Sequence, residues 1–530
     1  MSGGDEAQLL NETSRIKGKE ALHKNIEAAE ALSGAIRSTL GPKGLDKMLV
    51  TENGSVKITN DGVSILKNAV IEHPIAKMLI EIAITQEETV HDGTTSTVLI
   101  ASELLQNAWE LYKKGIHPSI IANGYSLAYE HANEFIYSNA TKIKNNNLLE
   151  SITKTSLSGK LGHSLRDHLS SLACKAATAI EKTSDLKIIT NKGGSANDSY
   201  ILEGLVLAKQ ACSPDMKRNL KNGKILILDG GIEKRMPTIN TKINLTSPAM
   251  ISAFREKELE LVSEQIQKII KINPDILVCR DGIDDSAIRL LQQNGITAYR
   301  RVERDDLELL SRTCSASIIA SPSMAKIEDL GDFEYSDEEN WSGVTHWILK
   351  GTNQKGMTLV IRGSNETLLE EVENAFSDAL GVACQCLKNK LVLPGGGAIQ
   401  MALSRNLRKW AEDFKGRESL AILAYADALE IIPRTLAINS GLDPIDKILA
   451  LNAAQASSSK NSNHWGFNIE KGEICNMYDE GIIENVQQHE QCLASSTAAA
   501  ISILRIDDVL WAKNDPTFPE GLEEQLEGRD

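Results

Sequence analysis

Aromatic residues are scarce in this chain, at 4% of 530 positions, so its cores must be built mainly from Ala, Ile, Leu and Val. Paired cysteines are missing too. The eight cysteines are scattered with no CxxC pair, and on a helix Cys384 and Cys386 would point about 200° apart, which argues against a thiolate metal site. Such usage fits buried free thiols in a reducing cytosol. Positive charge is in deficit: 57 Lys and Arg stand against 72 Asp and Glu, a net charge of −15. A nucleic-acid partner is therefore not expected, since such binders normally carry a basic patch. The short run Arg300-Arg301 is diluted by Glu303, Asp305 and Asp306. No apolar run approaches a membrane span, and MSGGDEAQLLNETSRIKGKE has no apolar core of the kind a secretory signal requires. A soluble, cytoplasmic protein without a membrane partner is expected. The familiar phosphate signatures are also absent. There is no G-x-x-x-x-G-K-[ST], no G-x-G-x-x-G and no kinase signature. Any nucleotide must be held by another arrangement.

What is present is an ordinary globular composition, 42% hydrophobic and 24% charged, with length enough for roughly three or four domains. Residues 1–146 read as mostly helical. Ile26, Ala29, Ser33, Ile36 and Leu40 mark one face of a helix that Gly41-Pro42 stops. A hairpin follows, Leu49–Thr51 with Ser55–Thr59, turning through Asn53-Gly54. From about Lys217 to Arg362 short β-like runs (Lys224–Leu228, Asp275–Val278, Thr358–Ile361) alternate with helices, the pattern of an α/β domain. Inside it, Ser247–Ile272 is a long helical stretch. Pro248, Met250, Ile251 and Phe254 cluster at its start, and Leu259, Val262, Ile266 and Ile269 form a core-facing stripe further on. A second helical region opens near Ser364 with the stripe Leu369, Val372, Phe376, Ala379, Ala383, and another hairpin is expected near Trp465–Ile469 and Glu473–Met477. The acidic stretch after Asp508 reads as loose. Helical ends flanking an α/β insert suggest one domain made from both ends of the chain.

The stretch Thr85–Leu105 is the most informative. Asp92-Gly93-Thr94-Thr95-Ser96 opens a helix whose stripe is Val98, Ala101, Leu105, Ala108 and Tyr112. A helix N-terminus presents unpaired N–H groups and partial positive charge, which suits a phosphate. Gly93 permits close backbone approach, the hydroxyls add donors, and Asp92 can hold magnesium. An Asp/Thr-capped helix with no ligand would leave the same trace.

Further motifs occur in order around it: Leu40-Gly-Pro-Lys-Gly-Leu-Asp-Lys-Met-Leu49, Thr59-Asn-Asp-Gly62, then Asp92-Gly-Thr-Thr95, Pro394-Gly-Gly-Gly-Ala398, Gly441-Leu-Asp-Pro-Ile-Asp446 and Ile503-Leu-Arg-Ile-Asp-Asp-Val509. Together, from about Ile16 to Leu510, they resemble the group II chaperonins, the thermosome and the eukaryotic cytosolic chaperonin. Thr238–Glu258 and Glu430–Ala437 look most like thermosome subunits.

That resemblance implies a multidomain fold. A mainly α equatorial domain would comprise 1–146 and 399–530, a small α/β intermediate hinge domain 147–216 and 363–398, and an α/β apical domain with a helical protrusion 217–362. It implies an ATPase with ATP and Mg²⁺ as ligands, other chaperonin subunits as partners in a homo- or hetero-oligomeric double ring, and non-native polypeptide as client. Leu40, Gly41 and Pro42 would line the phosphates, Asp92 would bind the metal, and Gly93, Thr94, Thr95 and Ser96 would cradle phosphate. Gly396 would lie near base and sugar, Glu484 would hold the ribose hydroxyls, and Lys160 would sense the γ-phosphate. Asp61 and Asp378 correspond to the acidic pair around the attacking water, although from pattern alone Asp378, about 200° around its helix from Phe376, reads as a solvated charge. Met250, Ile251 and Phe254 would form lid or client contacts, where pattern alone also allows a buried helix start.

Several positions depart from the family. His91 stands where glycine is usual. If that position needs a left-handed backbone, histidine costs roughly 1–2 kcal/mol; the expectation is that it does not, and that His91 fringes the site. Asn374-Ala375 replaces an Arg-Ser pair, Asn485 a proline, Gln400 a glutamate, and Gln487-Gln488-His489-Glu490 a basic stretch. An ATP-driven folding-chamber subunit is the leading reading. The alternative is a diverged, weakly or non-hydrolysing structural subunit of a mixed ring.

Overall fold

The computed structural model describes residues 13–50, 54, 56–69, 71, 73–143, 146–180, 182–233, 260, 262–353, 356–457 and 461–512. Met250, Ile251 and Phe254 lie outside the described residues. The chain divides into two compact units, Met1–Lys160 with Lys388–Asp530, and Leu161–Leu387. Each is taken in turn.

The first unit is mainly helical and is made from both ends of the chain. At its centre runs helix Thr94–Lys113, which buries Val98, Leu99, Ile100, Ala101, Leu104, Leu105, Ala108 and Leu111. Those residues cover far more than one stripe, the mark of a helix packed on several sides. Around it lie Gly18–Arg37, Pro74–Val90, Pro118–Asn139, Glu418–Leu429 and Val486–Leu504. Small side chains let these helices approach closely. A Cβ on Gly124 would stand 2.4 Å from Ala421 Cβ, so glycine is required where helices Pro118–Asn139 and Glu418–Leu429 meet. The few aromatics are placed with care for their polar atoms. Tyr125 and Tyr425 pack edge to face with ring centroids 5.6 Å apart. Their hydroxyls are satisfied by the Leu104 carbonyl at 2.7 Å and the Thr497 hydroxyl at 2.8 Å.

The expected 26–40 helix is found as Gly18–Arg37, with Ile26, Ala29, Ser33 and Ile36 buried. The first hairpin pairs Lys47–Val50 with Val56–Thr59, and the later one Trp465–Asn468 with Glu473–Asn476. At the C-terminal end the expectation of loose chain after Asp508 is overturned as far as residue 512, and 513–530 lie outside the described residues. Asp508–Ala512 is a β-strand rather than loose chain, paired antiparallel with Thr13–Lys17, with Arg15 opposite Leu510. A run as short as Asp-Val-Leu-Trp-Ala carries no sign of a partner nearly five hundred residues away in sequence, which only folding supplies.

The second unit is α/β. Its seven-stranded sheet runs Thr297–Tyr299, Ile276–Cys279, Leu220–Leu228, Gly331–Trp341, Val344–Gly351, Leu205–Leu207, with Ile318–Ile319 also paired to Leu220–Leu228. Ile225 and Ile227 feed one buried cluster and Leu226 and Leu228 another, so this strand is covered on both faces, as a continuous apolar run requires. Val262, Ile266 and Ile269 of the 262–272 helix are buried against the second cluster. Strand Met357–Gly363 does not join this sheet. It forms a separate three-stranded sheet between Leu186–Lys192 and Tyr200–Glu203, although in the sequence it reads as part of the same alternating pattern. A buried apolar run announces a strand, not the sheet that receives it. Among the described residues, no helix is long and apolar enough to cross a membrane.

Candidate functional site

Several helices of the first unit start from a side-chain cap. Asp61 accepts from the Val63 and Ser64 N–H groups, His73 from Ile75, Asp443 from Ile445 and Asp446, and Asn485 from Gln487. Among the helices that lack such a cap, two start from a left-handed glycine. Thr94–Lys113 begins at Gly93 (φ 81°) and Ala398–Trp410 at Gly397 (φ 72°), both left-handed. A glycine has no side chain to satisfy the first-turn amides, so these ends can serve a ligand. They fall on two of the motifs that the sequence singled out.

The approach to Gly93 is tightly held. Asp92 Oδ1 accepts from the Gly93 N–H at 2.7 Å. Gln86, wholly buried, donates from Nε2 to the Asp92 carbonyl at 2.9 Å and to the Gln488 carbonyl at 3.3 Å. His91 closes the preceding helix at φ 60°, ψ 15°. The position is therefore left-handed, contrary to the expectation from sequence. Helix Pro74–Val90 must hand over to helix Thr94–Lys113 within His91-Asp92-Gly93, and that reversal needs the left-handed region at both 91 and 93. Histidine there carries about 1–2 kcal/mol of strain.

Other motifs gather on this helix start. A Cβ on Gly62 would stand 2.6 Å from Thr95 Oγ1 and 3.4 Å from Thr94 Oγ1, so Asp61-Gly62 lies directly against the Thr94-Thr95 hydroxyls. Asn60 donates from Nδ2 to the Gly159 carbonyl at 2.7 Å, next to Lys160. Gly159 in turn faces Gly41 and Pro42: a Cβ on it would stand 2.7 Å from the Gly41 carbonyl oxygen. Gly41 is left-handed (φ 87°) and backs onto Leu436 and Ile469, while Asn439 Nδ2 holds the Leu40 carbonyl at 2.8 Å. On the far side, Gly93 meets Gln488. Next to it, buried His489 brings Nε2 to 2.8 Å from Glu484 Oε2. Glu484 lies opposite Leu393 in the Ile483–Asn485/Leu391–Pro394 pair, and its Oε1 is 2.8 Å from where a Cβ on Gly395 would stand. Gly396 follows, left-handed, its carbonyl accepting from the Phe467 N–H at 2.9 Å. Beneath the cluster the Cys492 thiol is pushed up to about 12 by burial, so it is inert as a nucleophile at neutral pH.

Leu40, Gly41, Pro42, Asp61, Asp92, Gly93, Thr94, Thr95, Ser96, Lys160, Gly396 and Glu484 thus lie in one unit, linked neighbour to neighbour. Asp378 belongs to the other unit, half-buried on helix Glu366–Asn389 between buried Phe376 and Ala379. It is less solvated than its helical angle alone suggests. Asn60, Gln86, Asn439 and His489 were given no site role in the sequence reading. Gln86 did leave a signal. It interrupts the buried stripe Leu79, Ala83, Val90 with a polar residue, and a polar group in a core position needs a partner.

The TCP-1/cpn60 chaperonin family matches residues 32–514. This chain belongs to that family. The chaperonin relatives include a thermosome subunit of Methanopyrus kandleri, 39% identical over 528 residues, which spans 97% of this chain and 96% of the relative. Archaeoglobus fulgidus provides two more. Its thermosome subunit beta is 39% identical over 99% of this chain and 97% of its own, and its thermosome subunit alpha is 39% identical over 96% and 95%. In this chaperonin chain, then, the glycine-started helices and the residues packed on them are the candidate site.

Proposed function

We propose that this chain is an ATP-hydrolysing subunit of a double-ring chaperonin that encloses non-native polypeptide, in the cytoplasm, within the equatorial, intermediate and apical division set out above. The observation that carries the reading is the convergence of separately spaced motifs on the uncapped start of helix Thr94–Lys113. Thr94, Thr95 and Ser96 offer backbone N–H and hydroxyl donors to phosphate, and Gly159 packs against the Gly41–Pro42 backbone, tied to Asn60 through its carbonyl. Asp92 suits magnesium. That ion is usually held by one or two carboxylates together with substrate phosphates and water, and a carboxylate accepting one N–H keeps further acceptor positions. Bound there, the metal supplies neutralisation of phosphate charge. Asp61 lies beside the threonine hydroxyls, placed to orient a water and take its proton, with Asp378 as the second carboxylate. Lys160 reads the phosphate, and Glu484 and Gly396 take the sugar side. Partners would be further copies or paralogous subunits, as the alpha and beta names of the relatives suggest.

Purified chain, assembled with MgATP, should bind and turn over ATP and protect a denatured client from aggregation, and Asp92→Ala should lose turnover. Nucleotide binding without turnover in an assembled ring would favour the second reading, a structural subunit. The strained His91 next to Asp92 is the feature that favours it.

A further inference from the structure

Behind Glu484 lies a group of buried polar side chains that apolar packing does not require. His489, 6% exposed, sits in the first turns of helix Val486–Leu504 and faces Glu484 at 2.8 Å. Gln400, 8% exposed, comes from helix Ala398–Trp410 and brings Nε2 to 3.5 Å from His489 Nδ1. Asn485, 1% exposed, caps the helix with its oxygen. Within this group His489 Nε2, Gln400 Oε1 and Asn485 Nδ2 lack a well-formed hydrogen bond among the described residues, and the Nε2–Glu484 approach is close but off line. Buried polar atoms left in this way are unfavourable unless they serve something.

The arrangement dictates where the imidazole proton sits. An amide N–H facing Nδ1 can only donate, so Nδ1 accepts and the ring proton lies on Nε2. With the amide turned over, Nδ1 would donate, and Nε2 would still need a proton to lie against a carboxylate. Either way the proton is on Nε2, the atom 2.8 Å from Glu484 Oε2. The other oxygen, Oε1, is turned toward Gly395, where only the missing side chain leaves room for it.

We propose that His489, backed by Gln400, is a positioning residue. It holds one oxygen of Glu484 so that the other is presented to the nucleotide sugar, and it thereby sets the preference for a ribose over a sugar without hydroxyls. The proposal rests on the reading above that Glu484 faces the ribose. Holding one carboxylate oxygen selects a single rotamer from a flexible side chain, so the acceptor is in place before the sugar arrives.

The test measures Kd for ATP and for dideoxy-ATP, which lacks both ribose hydroxyls, on the assembled full-length chain at fixed Mg²⁺. The unaltered chain should prefer ATP by about tenfold or more, the scale of one charge-assisted hydrogen bond. Glu484→Ala should erase that preference. His489→Phe, which keeps the ring volume but removes the N–H, should reduce it to near unity while leaving the dideoxy-ATP affinity unchanged. His489→Gln, which restores an N–H at similar reach, should recover most of it. An unchanged preference in His489→Phe, with loss in Glu484→Ala, would overturn the proposal and leave the ribose reading intact. No preference in the unaltered chain, or none lost in Glu484→Ala, would overturn both. Should His489→Phe fail to fold, Gln400→Leu carries the test: an intermediate preference is expected, and an unchanged one overturns the proposal.

Discussion

Gly93 and Gly397 start their helices with the same backbone geometry, and their surroundings differ. The atoms nearest to a Cβ on Gly93 would be those of side chains, Gln488 Cγ at 3.1 Å and Gln86 Nε2 at 3.2 Å. One on Gly397 would stand 2.7 Å from Pro433 Cβ and 3.1 Å from its Cα. The first glycine is needed for its left-handed backbone and for what it leaves open. The second is also needed for packing. One local motif thus serves two purposes, and the tertiary neighbours decide which one dominates. The same contrast separates the two carboxylates near Gly93. Asp61 is a helix cap as well as a candidate base, while Asp92 precedes its helix and leaves the cap to glycine.

The comparison can be broken experimentally. The largest effect is expected at Asp61. Asparagine caps helices about as well as aspartate, so Asp61→Asn should lower turnover by about 10²–10⁴-fold with an unchanged denaturant midpoint. Equal loss of turnover and midpoint would show that Asp61 is only a cap. Asp92→Ala should cut turnover by at least about a hundredfold and make the remaining activity insensitive to Mg²⁺ concentration, a titration that reads the metal directly. Gly397→Ala should destabilise the fold by about 2–5 kcal/mol, from left-handed strain and overpacking together. Gly93→Ala should lose only about 1–2 kcal/mol in the same unfolding measurement, but weaken ATP binding as well. A reversed order of those two midpoints would refute the contrast. The smallest effect belongs to His91→Gly. Relief of strain, less the entropy of a new glycine, should raise stability by roughly 0.5–1 kcal/mol. If turnover rises sharply as well, the strained histidine is what restrains this subunit.

Much of this was visible in the sequence. The helix at Thr94 showed its stripe, the hairpin at 47–59 its turn, and the glycine clusters their positions, because each is set by neighbours a few residues away. The adjacency of Gly62 to Thr95, or of Gly159 to Gly41, was not visible. None of these glycines differs in type or spacing from a glycine in any surface turn. Gln86 marked itself only as a polar residue within a buried stripe, and His489 only as a departure from a basic run; the partners of both became known with burial.

By itself, the sequence determined the family, the helical character of the two chain ends, the α/β character of the middle, and the residue types able to meet a phosphate. Those depend on periodicity, composition and local backbone preference. Only the tertiary structure decided that Asp508–Ala512 closes against Thr13–Lys17, that Met357–Gly363 leaves the larger sheet, that His91 must turn left-handed, and that an imidazole rather than solvent faces Glu484. The first two are contacts between distant segments, and the other two depend on how neighbouring elements pack against one another. Their free energy comes from burial and pairing that no local window of the chain contains.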